Sequence, residues 1–271
     1  MGSEMFNTIL YAFISVSLLG AVFGIGLAVA ARYLHVKKEE KIIELETSLP
    51  GYNCGACGFA GCASYAEAIF NGTTDNITLC APGGGETAAR LAAIMGVSVE
   101  VPLEKKTAQV HCRGGRDSAK YDFEYHGIKD CNAAYSMYQG NKTCKYGCLG
   151  FGSCIKVCPV DAIDYDDQGL VKVNKDKCIS CGKCVAVCPS GVMKMIPYSA
   201  DYIVACNSKD KGAFTRKACK VGCIGCKMCD KKSPDGGFVI ENFLASIDYS
   251  KTGDRKEAAS ACPSKCIVLN D

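Results

Sequence analysis

The 271-residue chain contains 21 cysteines, far more than an ordinary globular protein, so its structure must depend on cysteine chemistry. The cysteines are grouped too closely for a workable set of disulfide pairs, which excludes a small disulfide-bonded secreted domain and favours metal binding in a reducing compartment. With a net charge of only +3, no tryptophan and 29 glycines, the composition fits loops wrapped around metal clusters and not one large apolar core.

An uncharged, apolar segment spans residues 5–31. At about 1.5 Å per residue it is long enough to cross the roughly 30 Å hydrocarbon layer of a membrane. The segment is longer than a signal-peptide core, follows Glu4 and lacks an obvious cleavage site, so we expect a retained single-pass anchor over residues 1–34. The positive-inside rule predicts that the rest of the chain is cytoplasmic, because basic residues follow the segment and none precedes it: Arg32, Lys37, Lys38 and Lys41.

Residues 35–100 are expected to form a charged helical stalk, ended by Pro50, and a first [4Fe-4S] domain. The predicted ligands of this domain are Cys54, Cys57, Cys62 and Cys80. Glycines between them let the backbone curl around a cluster, and a helix is expected after the third cysteine. A four-cysteine zinc site is the alternative, although the C-x2-C-x4-C spacing differs from the paired knuckles of zinc proteins. The glycines at 83–85 lack the lysine of a phosphate-binding loop and are predicted to open another helix.

Two cysteine runs in the middle of the chain predict a two-cluster ferredoxin unit. KCISCGKCVAVCP matches the C-x2-C-x2-C-x3-C-P run of bacterial ferredoxins, in which the fourth cysteine binds the other cluster. This rule predicts one cluster held by Cys158, Cys178, Cys181 and Cys184. Its partner would be held by Cys148, Cys154 and Cys188 with a fourth ligand, for which Cys144 is the nearest candidate.

A repeat with a shift of 75 residues divides the rest of the chain into two ferredoxin-like units, residues 101–200 and 201–271. Phe151 of the first unit takes the position of Cys226 in the second. In the second unit one complete ligand set is replaced by Ser233, Thr252, Arg255 and Ala258. The other set is present as Cys223, Cys226, Cys229 and Cys262. We therefore predict one cluster in the second unit and four in the chain.

Five cysteines stand outside these sets, and the first four are possible extra iron ligands: Cys112, Cys131, Cys206, Cys219 and Cys266. They are expected either to form a fifth site or to be buried as small hydrophobic side chains. No dinucleotide-binding glycine motif follows a strand, and no nucleophile arrangement is present, so we expect no catalytic residue. The histidines, His35, His111 and His126, are expected to be structural.

The order of these elements resembles the B subunit of the Rnf complex, a membrane-bound ferredoxin:NAD oxidoreductase that couples electron flow to sodium or proton movement. The resemblance covers nearly the whole chain and depends on the anchor, the segment CGACGFAGCASYAEAI and the ferredoxin units that follow. The first cysteine domain alone is also similar to that of corrinoid iron–sulfur proteins. The resemblance implies a small α+β, cluster-dominated fold with one transmembrane helix, a helical [4Fe-4S] domain and tandem bacterial ferredoxin-like units.

The resemblance also implies an electron-relay subunit of an ion-translocating oxidoreductase in the cell membrane. Its expected partners are the other membrane and peripheral subunits and soluble reduced ferredoxin, with no nucleic acid. Basic residues between 209 and 232, beside the Cys223 ligand set, are a candidate docking surface for acidic ferredoxin or simply a solvated face. The alternative functions are a reducing module for a redox-sensing transcriptional regulator and a zinc scaffold without redox function.

Overall fold

A long apolar helix forms most of the first of two compact units, residues 1–43 and 44–271. The computed structural model describes residues 2–33, 39–98 and 104–270. Helix α1 (Gly2–Tyr33) is, among these residues, the one helix long and apolar enough to cross a membrane. Lys37, Lys38, His35 and the expected domain boundaries at 34/35 and 100/101 lie outside the described residues.

Three helices surround the first cysteine group. Helix α2 (Glu40–Ser48) ends before Pro50, as the sequence predicts, and α3 (Cys62–Phe70) and α4 (Gly84–Met95) follow the third cysteine and the triple glycine. Leu45, Tyr65 and Leu91 from the three helices are fully buried in one apolar cluster. This small core holds the loop that carries the cysteines between α2 and α3.

The next elements form a ferredoxin-like unit. Strand β1 (Lys106–Val110) pairs antiparallel with β4 (Met193–Pro197), and β2 (Ile163–Tyr165) pairs with β3 (Val171–Val173). The short helices between these strands are α5 (Cys131–Ser136), α6 (Ser153–Lys156) and α7 (Lys183–Ala186). The buried core combines valines and Met193 with four of the cysteines, so apolar strands and sulfur ligands share one interior.

The same arrangement follows a second time. Strand β5 (Tyr202–Val204) pairs antiparallel with β8 (Ile267–Leu269), and β6 (Phe238–Glu241) pairs with β7 (Leu244–Ile247). The helical elements are α8 (Gly212–Ala218), α9 (Met228–Lys232), a 3-10 turn (Pro234–Gly236) and α10 (Lys256–Ala261). Each unit thus has an outer and an inner strand pair, which confirms the expected small α+β fold with tandem ferredoxin-like units; the exact domain boundaries remain predictions.

Candidate iron–sulfur centres

The first cysteine set lies in the loop before α3 and in the turn before α4. Burial raises the pKa of the Cys80 thiol, and the nearby charges of Cys62, Cys54 and Cys57 raise it further, so the four sulfurs form one group. The amide of Cys62 donates to the Asn53 side-chain oxygen at 2.8 Å. A side chain at Gly61 would place its Cβ 2.8 Å from the same oxygen, which explains the glycine.

The second set surrounds a cavity that we name the Cys178 cavity, lined by Cys158, Cys178, Cys181 and Cys184. The crossing rule predicts this combination. Two backbone amides point at its sulfurs: Ala108 N lies 3.5 Å from Cys178 Sγ, and Ala162 N lies 3.3 Å from Cys158 Sγ. Amides aimed at sulfur are the usual protein groups that tune an iron–sulfur cluster. Burial raises the pKa of Cys184 to about 12 in the free protein, so metal binding is needed to keep this thiolate deprotonated.

The third set surrounds the Cys148 cavity, lined by Cys131, Cys148, Cys154 and Cys188. A polar clasp brings Cys131 here: its amide donates to Ser153 Oγ at 2.8 Å, and that hydroxyl donates to Asp130 Oδ2 at 2.7 Å. Asp130 also caps α5, whose first residue is Cys131. Because Ser153 directly precedes Cys154, the clasp joins the two cysteines.

Cys144, the fourth ligand expected for this set, lines a different cavity, and Cys131 lines this one. Phe151 occupies the position of the missing cysteine, and its ring packs against Tyr125 with centroids 5.1 Å apart. The fourth cysteine around this cavity comes from α5 and is not the nearest cysteine in sequence. The one local signal in the sequence is Asp130, a good N-cap residue immediately before Cys131.

The fourth set surrounds the Cys223 cavity, which five cysteines line: Cys223, Cys226, Cys229, Cys262 and Cys266. The first four are the predicted set. Cys266 Sγ lies 3.5 Å from Cys262 Sγ, and a hydrogen bond from the Cys266 thiol lowers the pKa of Cys262 to about 5. The same thiol also lowers the pKa of Cys223, while these bonds raise the pKa of Cys266 itself. Cys266 therefore adjoins the sulfurs of two cysteines of the predicted set, Cys223 and Cys262.

The remaining cysteines meet between the two ferredoxin-like units, in a space that we name the junction cavity; it is lined by Cys112, Cys144, Cys206 and Cys219. Each unit contributes one cysteine that follows its first strand and one from the repeated KxCKxGC segment. One backbone amide from each neighbouring cavity points at a sulfur of this set, and the two contacts are equivalent in the two units. Cys148 N lies 3.4 Å from Cys112 Sγ, and Cys223 N lies 3.2 Å from Cys206 Sγ.

The four cavities are similar in size: the space between protein atoms, part of it open to solvent, is about 380, 340, 340 and 330 Å³. Binding of the same kind of group at all four would require such a similarity. Within the described residues, no three His, Cys, Asp or Glu side chains converge on one point as ligands of a single metal ion do; the cysteines are spread around the cavity walls. Four thiolates with amides directed at sulfur fit a [4Fe-4S] cluster.

The cysteine sets form one continuous series. Burial raises the pKa of Cys181, and the charge of Cys54 from the first set raises it further. Burial likewise raises the pKa of Cys184, and the charge of Cys154 from the Cys148 cavity raises it further. The amides at the junction cavity then connect the Cys148 cavity to the Cys223 cavity. Every set thus has its neighbour within electrostatic or hydrogen-bonding range.

The site lost from the second unit is filled by a buried arginine. Arg255, at one of the four replaced cysteine positions, donates to Gly236 O at 2.8 Å and to Asp201 Oδ1 at 2.7 Å. It also donates to Lys251 O. The Ser233 hydroxyl, at another replaced position, donates to the carbonyl oxygen of Asp254. In the second unit, hydrogen bonds of Arg255 and Ser233 therefore occupy the place where the first unit has a set of cysteines.

Comparisons with known proteins agree with this chemistry. The FeS family, described as an Fe-S cluster, matches residues 49–82, and the Fer4_21 family, a 4Fe-4S dicluster domain, matches residues 143–195. The B subunit of the Na(+)-translocating ferredoxin:NAD(+) oxidoreductase complex of Acetobacterium woodii is 41% identical over 97% of this chain and 78% of its own length. The chain belongs to the B subunit family of ion-translocating oxidoreductase (Rnf) complexes. Both matched domains of this Rnf protein are iron–sulfur domains, which supports an electron-relay role and not a zinc scaffold.

Two further relatives cover almost the whole of this Rnf chain. The B subunit of the ion-translocating oxidoreductase complex of Methanosarcina acetivorans is 38% identical over 93% of this chain and 94% of its own length. The B subunit of the proton-translocating ferredoxin:NAD(+) oxidoreductase complex of Clostridium ljungdahlii is 40% identical over 96% of this chain and 90% of its own length. The apolar α1 helix fits a membrane protein of this family.

Proposed function

We propose that this Rnf protein accepts electrons from reduced ferredoxin at the cytoplasmic face of the membrane and relays them to other subunits of an ion-translocating ferredoxin:NAD⁺ oxidoreductase. The observation that carries this proposal is the unbroken series of cysteine sets from the first domain to the exposed Cys226. When bound, [4Fe-4S] clusters supply reversible one-electron transfer. The chain supplies the thiolates, the amides that face them and the spacing between sets.

We assign five clusters, one more than the cysteine spacing alone predicts. Four sets are those of the first domain and of the Cys178, Cys148 and Cys223 cavities. The fifth is the junction set, supported by its four cysteines, two from each unit, and by the amides on both sides. In this proposal Cys131 replaces Cys144 in the Cys148 cavity, and Cys144 is retained as a ligand at the junction.

The cytoplasmic, single-pass orientation is supported by Arg32 in the last turn of α1, by Lys41 after it, and by the 21 cysteines, none of which forms a disulfide. Free thiolates suit a reducing compartment. An epitope tag added after Asp271 tests the orientation through protease digestion of right-side-out and inverted membrane vesicles. Loss of the tag only in inverted vesicles is expected; loss only in right-side-out vesicles would contradict the proposed side.

A basic surface beside the Cys223 cavity is the proposed ferredoxin-docking site. Its side chains are all exposed: Lys209, Lys211, Arg216, Lys217, Lys220, Lys227, Lys231 and Lys232. Lys227 has φ +60 at the position where the equivalent loops have Gly152 and Gly182, with φ +71 in both. A non-glycine residue in this region costs free energy, and such strain persists mostly at functional sites. The retained charge next to exposed Cys226 therefore supports docking.

Kinetics of ferredoxin oxidation test this docking site. Lys227→Gly should keep the loop conformation and the cluster but slow reduction by ferredoxin at low salt, and Lys172→Gln removes one exposed charge from the first unit as the control. Raising the ionic strength should slow the wild-type reaction and reduce the difference between variants. Rates that respond to neither salt nor Lys227→Gly would exclude the basic surface as the docking site.

The ligand assignment is tested by metal analysis and EPR of anaerobically purified complexes. Cys144→Ala and Cys206→Ala should each remove about one-fifth of the iron held by this chain and abolish the same signal. Cys131→Ala should abolish a different signal. If Cys131→Ala and Cys144→Ala abolish the same signal, the two residues share a site and the five-cluster assignment is wrong. Zinc without acid-labile sulfide would contradict the relay function itself.

A further inference from the structure

The junction cavity contains a buried lysine that the proposed relay does not otherwise use. Only 2% of Lys142 is exposed. Its Nζ donates to the carbonyl oxygen of Gly114 at 2.6 Å and to that of Cys148 at 2.7 Å. These acceptors fix the ammonium group at the cavity wall, but they are neutral backbone groups and do not balance its charge.

No carboxylate balances this charge either. In the part of the chain that the structure describes, Lys142 forms no salt bridge with Asp or Glu, and its Nζ also lies 5.5 Å from the centre of the Tyr121 ring. A buried charge is costly unless an opposite charge faces it. The described side chains around the cavity include four cysteines, neutral polar groups and the exposed Arg113, and none of them is a carboxylate.

Lys142 lines the junction cavity together with its four cysteines, and hydrogen bonds from its Nζ to two backbone carbonyl oxygens hold it there. Its charge is therefore fixed at the wall of the space that the cysteine sulfurs surround. A cluster bound by four thiolates is an anion, and reduction adds one electron without forming or breaking a bond. A fixed positive charge in a poorly solvated cavity therefore stabilises the reduced form more than the oxidised form.

We propose that Lys142 is the charge-compensating residue of the junction centre and raises its reduction potential above the value that the cysteine ligands alone would give. This inference rests on the proposed fifth cluster. A raised reduction potential would favour the reduced state of the junction centre, which lies between the two units. Lys142 is a positioning residue in this role, because it acts on the reduction potential of the junction cluster and does not contact a substrate.

The internal repeat provides a matched control. The repeat aligns Lys142 with Lys217, which also lies two residues before a junction cysteine but is exposed. Arg113 lines the cavity as well, but it is exposed and donates to Lys265 O at 3.0 Å, so water screens its charge. The burial of Lys142 is what distinguishes it from these two cations.

Redox titration of the anaerobic complex, followed by EPR, tests the proposal. Lys142→Met keeps the length of the side chain without the charge. It should lower the equilibrium constant for reduction of the junction cluster about tenfold, which is about 59 mV for a one-electron couple. The affected signal is identified as the one abolished by Cys206→Ala. Lys217→Met should leave its midpoint unchanged, and Lys142→Gln, which retains hydrogen-bond donors, should shift it as Lys142→Met does.

The outcomes separate the presence of the cluster from the role of the lysine. If Cys206→Ala removes neither iron nor a signal, the junction cluster is absent and the role of Lys142 fails with it. If the cluster is present but Lys142→Met leaves every midpoint unchanged, only the role of Lys142 fails. A wild-type midpoint in Lys142→Gln would show that hydrogen bonding, not charge, sets the potential. If Lys142→Met loses the cluster, Lys142→Arg should retain it at a midpoint near that of wild type; loss in Lys142→Arg as well would overturn the proposal.

Discussion

Replacing Arg255 by methionine should loosen the second ferredoxin-like unit, because this arginine fills the place of a lost ligand set. Its side chain is 7% exposed, and its guanidinium group donates a hydrogen bond to the carbonyl oxygen of Gly236, a buried residue. Leaving a buried carbonyl unpaired costs about 1–3 kcal/mol. The ion pair with Asp201 is worth less, about 0.5–1 kcal/mol, because the Asp201 side chain is 45% exposed.

Together these losses amount to about 1.5–4 kcal/mol, since methionine preserves much of the apolar stem. Lys251 is exposed, so water replaces the hydrogen bond to its carbonyl oxygen. At about 1.4 kcal/mol per factor of ten, local opening should become roughly 10-fold to 700-fold more frequent. Hydrogen exchange is the suitable assay because it reports reversible opening in the intact holoprotein, where global unfolding would release the clusters.

The peptides to follow contain β5, which begins after Asp201, and α10, which begins after Arg255. Exchange in these peptides should accelerate in Arg255→Met, while β1 and β4 of the first unit keep the wild-type rate. Arg216→Met removes an exposed arginine from α8 of the same unit and serves as the control. Exchange within threefold of wild type in Arg255→Met would refute the view that this network replaces the stabilising effect of a cluster.

Two further substitutions test individual contacts. Cys266→Ala should retain the iron and sulfide of the Cys223 cavity, because the equivalent position of the Cys148 cavity is Val192; loss of about four irons would instead identify Cys266 as a ligand. Asp130→Ala removes the clasp at Cys131 and should speed the loss of one cluster to an iron chelator, followed by the decay of visible absorbance. Ser136→Ala, on the exposed side of the same helix, should leave that rate unchanged.

The parts of the structure that could be predicted are those encoded over short distances in sequence. The apolar run predicts α1, and the Cys-Pro segments predict the Cys178 cavity because each run builds its own loop around the sulfurs. In all three Cys-Pro turns the third residue after cysteine has a positive φ: +47 at Asp161, +63 at Gly191 and +50 at Lys265. This common turn geometry places the cysteine of each Cys-Pro turn in the same way, which is why spacing alone predicts its cavity.

The remaining assignments depend on contacts between distant segments. Nothing in the spacing shows that Cys131 and not Cys144 lines the Cys148 cavity; a hydrogen bond between residues 22 positions apart holds Cys131 there. The junction set needs strands from both units. The burial of Lys142 is equally hidden, because Lys217 has nearly the same neighbours in sequence but is exposed. Local patterns therefore predict the ligand loops, while packing decides how they combine.

The position of the lost site follows from the same repeat. In the first unit the Cys148 cavity adjoins the junction through the amide facing Cys112, and the Cys178 cavity lies on its other side, where Cys184 is influenced by Cys154. The lost set of the second unit corresponds to the Cys178 set, so it would have stood beyond the Cys223 cavity as seen from the junction. Its replacement by the Arg255 network therefore removes an end of the series and not a link within it. The Cys223 cavity becomes the terminal site, and it is the one in which a predicted ligand, Cys226, is exposed.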